Sequence, residues 1–266
     1  MEPSDLAPDL YYEVHSGDGP YLLLVHGFLS SRAQWLLNLK DLCLFSRSVV
    51  VELLGHGRSP APEDPVLYRP EAYVEAFENI RRKIGVERWF VCGQSLGAAL
   101  TLYYALERPE AFLGHIMTNS NSAFRRIEDQ EGAIRGAEQY AISILAGGME
   151  GIRAIPVHPA NARTLPATVR EALLEDAERL SVHGVAQTIR YTVSALSLRE
   201  RCPENRVPTL LICGKREKRF LPLRDYAAAS MPFLEILDLD GGHAVNIDAA
   251  QEFNRAVKDF LSKAGY

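Results

Sequence analysis

The stretch Gly93-Gln94-Ser95-Leu96-Gly97 decides how this chain is read. It follows the apolar run Trp89, Phe90, Val91, Cys92 and opens the apolar stretch Ala98 to Leu106, so it reads as a strand, a sharp turn carrying a serine, and a helix. A serine at the tip of so tight a turn sits in a strained backbone conformation, and the flanking glycines let strand and helix pack too closely for larger residues. The turn pushes the hydroxyl into a cleft. The new helix aims its unpaired amides at the same cleft, which makes the N–H of Leu96 a donor to an oxyanion formed there.

Composition sets the frame around that turn. A chain of 266 residues with 47% hydrophobic content suits one compact α/β domain with an insertion. A formal net charge of −5 argues against a partner with a phosphate backbone. Met1 to Leu10 is acidic and holds Pro3 and Pro8, without the basic start and apolar run of a leader. No stretch reaches the length of a membrane span, so the expectation is a cytoplasmic protein with no membrane partner. Cys43, Cys92, Cys202 and Cys213 lack metal-type spacing and read as reduced residues. Neither a metal nor an organic cofactor is expected.

Strand and helix signals then alternate. A strand over Leu10 to His15, a turn at 16–20 (SGDGP) and a strand over Tyr21 to Val25 read as a hairpin. Further strands are predicted over Ser48 to Glu52, at the run before Ser95, over Leu113 to Thr118, Pro208 to Cys213 and Leu234 to Leu239. Helices are predicted around Ser31 to Leu42, Pro70 to Ile84, after Ser95, and over Ala249 to Leu261. This alternation implies a mostly parallel sheet covered on both faces. Between about Asn121 and Asn205 only helical periodicity appears, which predicts a helical cap at 121–205 over a core formed by 1–120 and 206–266. Ligands of such sheets bind beyond the carboxyl ends of the strands, so the cap would cover the cleft holding Ser95.

A serine nucleophile needs a base, and of seven histidines His243 has the right surroundings. It follows Gly241 and Gly242 just after the last strand, on a loop able to swing its ring over the sheet. His26, in Val25-His26-Gly27-Phe28, lies after an earlier strand and reads as shaping a loop whose Phe28 N–H completes the oxyanion hole with Leu96. His56, in Gly55-His56-Gly57-Arg58-Ser59, reads as a loop-ordering residue. His26, Gln94, Trp35 and Phe124 are the candidate substrate contacts, the last two among aromatic residues able to line an apolar acyl pocket.

Taken together, HGF at 26–28, GHGRS at 55–59, GQSLG at 93–97, PTLLICG at 208–214 and GGHAV at 241–245 resemble the α/β-hydrolase fold family over nearly the whole chain. The resemblance implies a mostly parallel eight-stranded sheet with the cap inserted after the sixth strand. It also implies a triad acid shortly after the strand at 208–214, where Glu217 is the only carboxylate in Lys215-Arg216-Glu217-Lys218-Arg219. Ser95, His243 and Glu217 are therefore the expected catalytic residues, with Asp240 and Asp248 as alternative acids.

The C-terminal half also resembles the pyruvate-eliminating synthase of menaquinone biosynthesis. That subgroup carries an arginine four residues after its nucleophile to hold a substrate carboxylate, and this chain has Ala99 there. Bacterial C–C bond hydrolases and carboxylesterases are similar as well. The expected activity is serine hydrolysis of a carboxylic ester of a small to medium apolar substrate, by a monomer or homodimer. The alternatives are C–C bond cleavage or pyruvate elimination on a carboxylated substrate, and a slow-turnover ligand sensor on the same fold.

Overall fold

The computed structural model of the chain describes residues 7–128, 130–162 and 164–266. The first six residues of the segment read above for a leader lie outside that description. Seven strands form one sheet: β1 (Tyr12–Val14), β2 (Tyr21–Val25), β3 (Arg47–Val51), β4 (Trp89–Gly93), β5 (Phe112–Thr118), β6 (Thr209–Gly214) and β7 (Leu234–Leu239). Their order is β1-β3-β2-β4-β5-β6-β7, and every neighbouring pair is parallel except β1 with β3.

Two expectations are corrected here. β1 does not form a hairpin with β2, because β2 is paired on both sides by β3 and β4 and has no free edge left. The SGDGP segment instead packs on the entry to β3, where side chains at Gly17 and Gly19 would collide with the Ser46 and Phe45 carbonyls. β1 then joins the outer edge of β3, with Tyr12 opposite Val51. The sheet has seven described strands rather than eight, so the helical stretch follows β5 rather than a sixth strand.

The apolar strands divide their side chains between two faces by the twofold alternation of β structure. Leu23, Val25, Val91 and Leu211 face one core layer with helices α2 (Pro70–Lys83) and α3 (Leu96–Glu107). Leu22, Leu24, Cys92 and Ile212 face the other, with Trp35, α1 (Leu36–Leu42) and, at the far end of the chain, α10 (Ala250–Lys263). Trp35 and Phe253 are fully buried and meet at a ring separation of 6.3 Å.

Between β5 and β6 the described residues are helical or irregular. They include α4 (Asn121–Phe124), α5 (Gln130–Arg153), α6 (Ala167–Ala177) and α7 (Val182–Gln187), and α8 (Leu221–Ser230) follows β6. Gly148 breaks α5 with a positive φ of 58°. This stretch has a small core of its own, formed by Ala141, Ile144, Ile152, Val185 and Ile189, into which Leu29 of the main body inserts. Among the described residues no helix is long and apolar enough to cross a membrane.

Burial fixes what core substitutions cost. Phe253→Ala should lower unfolding free energy by about 3–5 kcal/mol in urea titration, whereas Leu44→Ala, at a side chain 74% exposed, should stay within about 0.5 kcal/mol.

Candidate active site

Ser95 sits between the end of β4 and the start of α3 with φ 55° and ψ −113°, a left-handed backbone that L residues avoid unless their surroundings impose it. The imposing contacts are short. A side chain at Gly93 would overlap Thr101 and the first turn of α3, and one at Gly97 would overlap the Val25 and His26 carbonyls. Strand, turn and helix therefore pass one another at backbone distance, and the serine hydroxyl has only the cavity side open to it. Ser120 Oγ donates to the Ser95 carbonyl at 2.7 Å and fixes the turn from β5.

His243 reaches the serine from the opposite loop. A side chain at Gly214 would strike the Gly242 carbonyl, so the ends of β6 and the histidine loop can cross only because that position is glycine. Asp248, at the end of the short helix α9 (Val245–Asp248), accepts the Gly242 N–H at 2.7 Å and an Arg216 guanidinium N–H at 3.2 Å. Asp248 thus ties the histidine loop to the loop carrying Glu217 and makes no bond to the imidazole. His243 Nδ1 lies 2.9 Å from Glu217 Oε2, and Nε2 lies 2.8 Å from Ser95 Oγ. An ionised carboxylate only accepts, so Nδ1 carries the proton and Nε2 is left to accept the serine O–H.

Glu217 is anchored by β5 as well as by the imidazole. Asn119 Nδ2 donates to Glu217 Oε2 at 2.7 Å, and Asn121 Nδ2 donates to Oε1 at 3.3 Å. Burial pushes the Glu217 carboxyl pKa up, but hydrogen bonding and charge interaction with His243, together with the two amide donors, outweigh it and hold the group below its ordinary value. Neither Asn119 nor Asn121 is among the residues singled out from the sequence. The signal available was an unbroken polar run, Asn119-Ser120-Asn121-Ser122, directly beyond the carboxyl end of an apolar strand.

The remaining predicted residues separate into two groups. Phe28, Leu96 and Gln94 line a cavity of about 450 Å³ that also exposes Ser95 and His243. Leu96 opens α3 and Phe28 lies in the loop after β2; the N–H of neither has a partner among the described residues, which leaves both available to a ligand. Gln94 Nε2 donates to the His243 carbonyl at 3.3 Å. His26, Trp35 and Phe124 do not line the cavity and are corrected as substrate contacts. Trp35 belongs to the layer under α10. Phe124 packs on Phe220. Both are large apolar groups for which the core offers more contact than a cleft does.

His26 is fully buried and works on the backbone. Its Nδ1–H donates to the Gly27 carbonyl at 2.8 Å and its Nε2 accepts the Leu53 N–H at 3.0 Å. His56 repeats the pattern in the other direction, donating to the Leu54 carbonyl at 2.8 Å and accepting the Leu29 N–H at 3.1 Å. Two neutral imidazoles therefore stitch the loop after β2 to the loop after β3. The bond to His56 also fixes Leu29, which has a positive φ of 56°.

The cavity's walls are mostly apolar, with Leu29, Leu165, Leu173, Val193 and Ile247 among them, and several come from the helical stretch above the sheet. Among the described lining residues, Asp248 and His243 alone can carry charge. Among the described residues no cluster of three or more His, Cys, Asp or Glu side chains could hold a metal ion. The arrangement is able to take a proton from a serine hydroxyl, direct that oxygen at a carbonyl and receive the resulting oxyanion on backbone amides.

Residues 20–250 match the alpha/beta hydrolase fold family, and the chain belongs to it. Among its relatives is the 2-succinyl-6-hydroxy-2,4-cyclohexadiene-1-carboxylate synthase of Serratia proteamaculans, 26% identical over 93% of this chain and 95% of that protein. Another is the pimeloyl-[acyl-carrier protein] methyl ester esterase of Stenotrophomonas maltophilia, 29% identical over 93% of this chain and 95% of that one. Of solved structures, MenH from S. aureus superposes with a TM-score of 0.83 at 18% identity, covering 96% of this chain and 99% of its own. The relatives are thus named for enzymes of more than one reaction type on the same fold.

The two loop histidines give the fold a definite response to acid. Burial holds His26 at about 3, with the charge of His56 adding to the effect, and holds His56 at about 4, against 6.5 for a free imidazole. The unfolded chain therefore binds these protons first as pH falls. Their contribution is complete above pH 6.5 and is lost as pH drops toward the folded-state values. Between about pH 7 and pH 5 the loss is about 2 kcal/mol for His56. Thermal melts across that range should show a falling midpoint in the wild type and a flatter dependence in His56→Gln.

Proposed function

We propose that this protein is a serine hydrolase that cleaves carboxylic esters of small to medium apolar substrates through an acyl-enzyme. The observation that carries the reading is the unbroken hydrogen-bonded series Glu217–His243–Ser95 opening onto an apolar cavity. His243 Nε2 takes the Ser95 proton as Oγ attacks the carbonyl. Phe28 and Leu96 N–H groups receive the oxyanion, and the imidazolium then returns its proton to the departing alkoxide. Glu217 stabilises that imidazolium from the Nδ1 side. Water attacks the acyl-Ser95 ester by the same route in reverse, and no cofactor takes part.

A second reading, pyruvate elimination or C–C bond cleavage on a carboxylated substrate, is favoured by the synthase among the relatives. Against it stands Ala99, which is fully buried and offers no cationic contact where that subgroup carries an arginine. An anionic substrate needs such a partner once it leaves water.

A p-nitrophenyl ester series from acetate to dodecanoate tests the choice. The expected result is turnover with an optimum at short to medium acyl length, reduced on the order of 10³-fold or more in Ser95→Ala and in Glu217→Ala. Turnover that survives Ser95→Ala would contradict the acyl-enzyme route. A folded wild type inert toward every ester would favour the second reading.

A further inference from the structure

The polar run that ends β5 does more than close a strand. Asn119 is fully buried, and all of its side-chain capacity is directed at one place. Its Oδ1 accepts the Gly214 N–H at 2.9 Å, and its Nδ2 donates both to the Gly214 carbonyl at 3.1 Å and to Glu217 Oε2 at 2.7 Å. A single amide thus grips the last residue of β6 by both backbone groups and holds the carboxylate that lies three residues further on. Oε2 is also the oxygen that meets His243 Nδ1. The following residue, Ser120, holds the Ser95 carbonyl. Two consecutive side chains at the end of β5 therefore fix both ends of the hydrogen-bonded series.

Glutamate is one methylene longer than aspartate and has one more rotatable bond, so its carboxylate needs an external stop to face a fixed imidazole. The basic residues around it do not supply that stop: none of Lys215, Arg216, Lys218 and Arg219 makes a hydrogen bond or ion pair to Glu217, and Arg216 is turned to Asp248. Asn121 adds a weaker bond to the other oxygen, at 3.3 Å.

We propose that Asn119 is the positioning residue of this active site, holding Glu217 Oε2 at the imidazole and coupling the carboxylate to the end of β6. The assignment rests on the serine-hydrolase reading and acts entirely through Glu217. An aspartate at this position would set two carboxylates at hydrogen-bond distance, which explains in physical terms why the amide suits the site.

The test measures kcat, KM and the pH dependence of kcat/KM with a short-chain p-nitrophenyl ester for wild type, Asn119→Ala, Glu217→Ala and the double variant, beside thermal melts. Asn119→Ser, too short to reach Glu217 but still polar toward Gly214, is carried in parallel. The expected result is a kcat lowered about 10- to 100-fold by Asn119→Ala with KM little changed. Loss of the amide donor leaves the carboxylate more basic and favours the imidazolium, so the acid limb of the profile should move to higher pH. Adding Asn119→Ala to Glu217→Ala should cost nothing further.

Losses that multiply in the double variant, or an acid limb that does not move, would overturn the assignment. So would failure of both Asn119 variants to fold, since the residue's role would then be structural. Absence of wild-type turnover, or turnover retained by Ser95→Ala, would instead remove the serine-hydrolase reading itself.

Discussion

Everything at this site depends on how closely three pieces of backbone approach one another behind Ser95. The left-handed serine is not a conformation its own sequence favours. It persists because β2, β4 and the first turn of α3 are packed at distances that admit glycine only at Gly93 and Gly97. The same constraint extends forward, because a side chain at Gly27 would run into the end of the Gln94 side chain and press on the Ser95 Cβ. The loop bearing Phe28 can therefore pass directly beside the serine. One packing condition thus sets the hydroxyl, the free amide of Leu96 and the free amide of Phe28 in a common space.

Around that condition the protein uses buried polar groups whose partners are complete where the loops must not move. His26 and His56 each satisfy one backbone carbonyl and one backbone N–H across the two loops. Glu52 accepts the Arg58 N–H at 2.7 Å beneath Gly57, at a turn where any side chain would meet its carboxylate. Asn119 does the equivalent work between β5, β6 and Glu217. A buried donor left unpaired would cost far more than a bond contributes, which is why such residues specify loop geometry so sharply. Apolar layers position the sheet; these polar ties position what the sheet carries.

How far the sequence could be read follows from the same division. Short apolar runs and the glycine-flanked turn are local signals, so β2 to β7, the helices α1, α2, α3 and α10 and the meeting of Ser95 with a histidine loop were legible in residue order. The partner of β1 was not, because hairpin proximity in sequence says nothing about which edge of β2 is free. Trp35 and Phe124 were misplaced for a related reason: an aromatic side chain reads the same in a pocket and in a core. Cavity walls such as Leu165, Leu173 and Ile247 come from distant segments and carry no shared pattern. Asn119 was invisible as a tie because its partners, Gly214 and Glu217, lie nearly a hundred residues away, at |i−j| of 95 and 98.

The proposed activity turns on Ser95 being a nucleophile activated by His243. Treatment of the folded protein with a fluorophosphonate, followed by intact mass and peptide mapping, examines this without assuming any substrate. One covalent adduct is expected, on Ser95, formed rapidly in the wild type and suppressed in His243→Ala. An adduct on another residue, or a folded protein whose Ser95 stays unmodified, would contradict it.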